Sequence, residues 1–182
     1  MIKLITPAAP AISTADLRAH CRIDGTEEDA QLEAFLAAAH QYCEDFTGLA
    51  LGSQTVEELL PAFPADFELS RFPVTSIVSV NYVGLDGVEM AMSPFSYSLD
   101  DYGQRARLWP AYNTSWPETL DVVNAVRVRY VAGSLPATVR SAMLLMVGSL
   151  YENRQDQSTS QTHSLPHGVH ALLALNRVNL GV

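Results

Sequence analysis

Three histidines near the end of the chain, His163, His167 and His170, are the nearest this sequence comes to a metal site. His167 and His170 stand three apart, a spacing that can put two imidazoles on one helix face. A zinc site needs further donors, and no cysteine or carboxylate lies at ligand spacing beside them. They read as ordinary exposed histidines of a polar tail, and no metal or cofactor is expected. Asp100-Asp101, Asp66 with Glu68, and Glu44-Asp45 offer carboxylates for acid–base work. Nothing in their spacing sets two of them at a working separation, and such pairs are commonly solvated turns or helix ends. No serine sits in a GxSxG elbow and no glycine-rich phosphate loop is present, so the chain is not expected to be an enzyme.

Two other groupings are better suited to contact than to catalysis. Arg105, Arg107, Arg127 and Arg129 form a candidate basic patch. In a chain with 11 Lys+Arg against 20 Asp+Glu and a formal net charge of -9, such a patch suits a neighbour's carboxylates better than nucleic acid. The same balance argues against a surface that wraps DNA, which needs clustered cations to neutralise phosphates. It leaves room for a ring whose wall lets DNA slide past without sticking. Trp109-Pro110 and Trp116-Pro117 flank a loop containing Tyr112. Trp109, Tyr112 and Trp116 are either an exposed contact patch or the lid of a small core, the lid being the simpler reading.

The elements that must position these residues follow from periodicity. Ser13, with Asp16 three residues on, caps a short helix running to about Cys21. Thr26 is expected to cap a longer one, in which Leu32, Phe35, Leu36, Ala39, Tyr42, Cys43 and Phe46 recur at helical steps before Gly48 stops it. From about Gln54 to Val131 the period changes. Val78, Val80 and Tyr82 alternate with polar residues, Gly84-Leu85-Asp86-Gly87 marks a hairpin, and Val126, Val128 and Tyr130 alternate with Arg127 and Arg129. Ser96–Leu99 and Ala106–Trp109 read as shorter strands. Pro136 then opens an apolar helix whose stripe is Val139, Met143, Met146, Val147 and Leu150, broadened by Ala142, Leu144 and Leu145. It is buried on more than one side, either within the core alone or against a neighbouring subunit as well.

The fold class is therefore α+β: a helical core of two N-terminal helices and one long C-terminal helix, an inserted antiparallel β unit, and an extended tail. The expected segments are 1–50 (helical), 51–133 (β), 134–154 (helix) and 155–182 (linker and docking segment). Hydrophobic residues at 48% and charged residues at 17% indicate a folded chain. Cys21 and Cys43 lack CxxC spacing and read as reduced, buried residues. Residues 1–5 are too short for a signal-peptide core, and the run Ala142–Leu150 falls well under the ~20 residues of a membrane span. A soluble protein made in a cytoplasm is expected. Past Arg154, ten residues from Gln155 to Ser164 carry no apolar side chain, and an apolar segment from Leu165 to Leu173 follows. A packed helix, a polar leash and a small hook suggest a part built to dock.

Taken in order, these segments resemble the head-tail connector, or adaptor, family of long-tailed bacteriophages and prophages. The resemblance is carried by Ser13–Asp24, by Asp29-Ala30-Gln31-Leu32 leading to Tyr42–Gly48, and by Phe72–Ile77 with the Tyr82 strand. Ser115-Trp116-Pro117, Val126–Gly133 and the helix ending Tyr151-Glu152-Asn153-Arg154 complete it, so that it spans essentially the whole chain. It implies a structural virion protein of the neck, assembled in the host cytoplasm as a ring, typically of twelve copies, beneath the portal. DNA would pass through the channel without sequence-specific binding, and a neck or tail-completion (stopper) protein would bind below. The resemblance implies portal docking by Leu165, Val169, Leu172 and Leu173, and ring contacts by Val139, Met143, Met146, Leu150 and Tyr151 together with the second helix. Other readings are a neck or tail-completion protein below the adaptor, a receptor-facing module using the Trp109–Trp116 loop, and a small enzyme with a carboxylate site in the β unit.

Overall fold

The computed structural model describes residues 1–10, 12–103, 105–153 and 167–178. The chain forms two compact units: Met1–Ala9 with Gly52–Ser134, and Pro10–Leu51 with the chain from Leu135 on.

The helical unit contains α1 (Thr14–Cys21), α2 (Asp29–Thr47), α3 (Ala137–Glu152) and α4 (His167–Ala174). Ser13 and Asp16 close the expected capping box, each side chain taking the other's backbone N–H and so satisfying two donors that the helix start leaves free. The Ser13 hydroxyl bond, followed by the Ser13 N–H, holds the Asp16 carboxyl below its ordinary range. Thr26 is not the cap of α2. Residues 26–29 make a turn in which the Asp29 N–H donates to the Thr26 carbonyl, and the helix begins two residues late with Glu28 at its cap position. The Glu28 carboxylate is engaged by the Tyr151 hydroxyl of α3 instead. Gly48 ends α2 in the left-handed conformation, at φ 74°.

The core of this unit joins Leu17, Leu32, Ala39 and Cys43 to Val139, Ala142, Met143, Met146 and Val147 of α3. Cys43 and Cys21 are free thiols. Burial pushes the Cys43 thiol up to about 11; burial, then the Glu152 carboxylate, raises that of half-buried Cys21. A raised value means less thiolate near pH 8, and only the thiolate is nucleophilic. A maleimide at pH 8 is therefore expected to label Cys21 and to leave Cys43 untouched until the unit is unfolded, as peptide mapping would show.

The β unit holds a five-stranded antiparallel sheet in the order β1-β2-β8-β4-β5 and a three-stranded sheet in the order β3-β7-β6. Their strands are β1 (Ile2–Thr6), β2 (Gln54–Leu60), β3 (Phe67–Glu68), β4 (Val74–Val83), β5 (Glu89–Ala91), β6 (Tyr97–Asp100), β7 (Arg107–Pro110) and β8 (Val126–Ala132). Central β8 alternates as expected, with Val126, Val128 and Tyr130 buried. In β4 the alternation fails: Val80 is buried but Val78 is 54% exposed. The register slips between Ile77 and Ser79, and this bulge turns Val78 out of the face that its spacing from Val80 assigns it.

The first residues correct the expected segment 1–50. Ile2–Thr6 is a strand of the β unit, paired antiparallel with β2. Five residues with three apolar side chains carry no period of their own, so only the partner strand reveals them. Among the described residues no helix is long and apolar enough to cross a membrane.

Candidate assembly surfaces

The hook was expected to reach outward, and α4 instead packs into its own helical unit. Val169 and Leu173, four apart on one face, are both fully buried in the core, and Leu172 is half-buried. Polar contacts fix the segment further. The Asn176 amide donates to Thr138 Oγ1 at 2.7 Å, and the Val178 N–H donates to the Thr47 carbonyl at 2.9 Å. His170 meets Phe46 edge-on at 4.9 Å, and the Arg177 guanidinium lies 5.4 Å from the same ring. Val169 and Leu173 are thus core residues in this structure, because the protomer offers their apolar face a nearer partner. Leu165, His163 and the leash from Gln155 to Ser164 lie outside the described residues.

The stripe on α3 is likewise spent inside the protomer. Val139, Met143 and Met146 are buried against α1, α2 and α4, which leaves them unavailable to a neighbour. Leu150 is 38% exposed and Tyr151 is half-buried, so these two alone of the five reach the surface. Leu145, which sequence reasoning placed in the broadened stripe, is exposed as well.

The four arginines divide between two sheets, and each has a carboxylate within its own unit. On the three-stranded sheet, Arg107 reaches Glu68 at 2.7 Å and Asp66 at 3.7 Å, and Arg105 reaches Glu68 at 3.1 Å. The hydrogen bond from Arg107, then that from Arg105, holds the Glu68 carboxyl below its ordinary range. Its contribution is present above that range and fades as pH falls through the lowered value. On the five-stranded sheet, Arg127 meets Glu89 at 3.5 Å and Arg129 meets Glu57 at 2.8 Å. Cross-strand geometry explains the pairing, since Glu57 stands directly opposite Arg129 in the ladder. Other carboxylates proposed for chemistry also have structural work. Asp100 accepts the Tyr102 N–H, Glu44 the Leu51 N–H and Asp45 the Gln41 amide.

The tryptophan loop divides. Trp116 stacks on Phe63 at 4.7 Å with the rings 4° apart, and meets Phe67 at 67°, so it closes a core as a lid does. Trp109 is 40% exposed and Tyr112 is 99% exposed. Two further exposed aromatics, Phe95 and Tyr102, escape sequence reasoning because no period marks a loop residue. Phe95 stands next to Tyr112's neighbourhood: the Ala111 N–H donates to the Ser96 carbonyl.

Most polar groups proposed for chemistry are thus absorbed in caps and ion pairs, while aromatic loops and an apolar edge strand lie open. Residues 11–165 match the head completion protein family model, and the chain belongs to that family. No curated protein sequence matches. Among solved structures, a chain from the neck of an empty GTA particle, computed with C6 symmetry, aligns over 100% of this chain and 97% of its own, at 26% identity and TM-score 0.81. A chain from the virion of a native gene transfer agent particle aligns over the same shares at 26% identity and TM-score 0.78. A third, from the neck of a native GTA particle computed with C12 symmetry, shares the fold at 24% identity and TM-score 0.74, again over 100% and 97%.

Proposed function

We propose that this protein is a head-tail connector of a phage-like particle, assembled as a ring in the neck beneath the portal. The observation that carries this reading is the end-to-end likeness to a GTA neck component, over 100% of this chain and 97% of the other. Twelve copies are the number suggested by the C12 symmetry of the similar neck. A net charge of -9 suits a channel wall that does not retain DNA. The family's description, head completion, favours a second reading in which the chain seats below the adaptor and closes the filled head.

Mass measurement of the full chain with purified portal separates the two. A ring-sized complex that forms on portal is expected. A tight monomer indifferent to portal overturns the connector reading, and binding only to an adaptor already in place favours the second.

A further inference from the structure

β1 is exposed along its whole length, with Ile2 at 45%, Leu4 at 51% and Ile5 at 36%. It ends the order of its sheet, so its outer edge has no strand partner among the described residues. Met1 and Leu59 exchange both backbone hydrogen bonds, at 2.9 and 2.8 Å. From there the antiparallel alternation points the N–H and C=O groups of Ile2 and Leu4 away from β2. An apolar edge of this kind is a template for another strand. Its one charged residue is Lys3, the single lysine of the chain.

A complementary surface lies at the other side of the same sheet. β4 is ten residues long, yet β5 covers only Asn81–Val83, with the Met92 N–H reaching the Val80 carbonyl. The half from Val74 to Ser79 has β8 on one side and no strand on the other among the described residues. Thr75, Ser76 and Val78 are exposed there. The open stretch is about as long as β1, and a proline bounds each, Pro7 after β1 and Pro73 before β4. A closed ring of identical subunits joins two different patches of each copy, and these two have no strand partner among the described residues, are matched in length and lie on opposite edges.

We propose that β1 of one copy adds to the open half of β4 in the next, carrying the sheet across the subunit boundary. The occupant of each edge is thus a second copy of this chain, and the inference rests on the ring proposed above. Cyclic symmetry of the similar neck structures supports a copy over a different partner.

Leu4→Pro deletes an N–H that β2 does not use, so the melting temperature of the isolated chain should hardly move. The concentration needed for ring assembly should rise on the order of tenfold. Leu4→Cys combined in turn with cysteine at Thr75, Ser76, Ile77 or Val78, in a Cys21→Ser chain, tests the contact directly, because a scan along the open edge samples neighbouring registers in either orientation. Mild oxidation of assembled rings should give a ladder of disulfide-linked multimers with at least one pair and none with the single cysteines. If Leu4→Pro does not fold, the cross-links decide. Rings that form but yield no ladder from any pair of the scan overturn strand addition and leave the ring reading standing. A wild-type chain that forms no ring overturns that reading, and this inference with it.

Discussion

Truncation after Arg154 is expected to destabilise the helical unit severely, rather than to leave a folded protein that has only lost its grip on a partner. The cut removes Val169 and Leu173, both fully buried in the core, together with the bonds to Thr138 and Thr47. Losing a buried valine and a buried leucine costs about 5 kcal/mol, a large share of the roughly 5–15 kcal/mol that holds a domain folded. Thermal unfolding followed by circular dichroism should show the helical transition lowered by about 10–20 °C. Leu173→Ala alone should cost about 3 kcal/mol and lower it by about 6–12 °C. An unchanged transition in the truncated chain would mean that α4 contributes nothing to the core it fills. Any loss of partner binding on truncation must therefore be judged against this unfolding.

In the β unit the largest effect should come from Tyr130→Ala. Tyr130 is fully buried on the central strand, its hydroxyl donating to Glu58 at 3.2 Å and accepting the Arg71 N–H at 3.1 Å. Glu58, itself buried, also accepts from the Ser70 hydroxyl at 2.6 Å and the Ser70 N–H at 3.1 Å. Removing the ring empties the middle of the sheet and should cost about 4 kcal/mol, read from a urea titration. Tyr130→Phe keeps the packing and loses only the two bonds, so about 1–2 kcal/mol is expected. Equal losses in the two variants would contradict a packing role for the ring. Burial, and then the Glu58 carboxylate, raises the Tyr130 hydroxyl above its ordinary 10.0. The phenol thus stays protonated in the fold at pH values where an unfolded chain would ionise, and stability should fall as pH climbs above about 10.

Local rules made much of the fold legible. The Ser13–Asp16 box, the Gly48 stop, the alternation of β8 and the hairpin after β4 all depend on a few neighbouring residues. What escaped depends on partners distant in sequence. Ile2–Thr6 becomes a strand because β2 lies beside it, more than fifty residues along the chain. Val78 faces outward because of a bulge in its pairing with β8. The apolar hook at Val169 and Leu173 announced that it would be buried, but not against what, and the answer was its own helices. The arginines were visible as cations, and their pairing with Glu57, Glu68 and Glu89 was set by strand register. For the same reason the candidate contact residues came through unevenly. Tyr112 and Trp109 stand open, whereas Trp116, Val139, Met143 and Met146 serve the protomer.

An electron-microscopy reconstruction of the neck, with a small tag inserted at the exposed Leu85-Asp86 hairpin, tests the connector role most directly. A closed ring of tagged subunits, coaxial with the DNA channel and seated against the portal, is expected. Tag density elsewhere in the particle, or a neck complete without this chain, would contradict it.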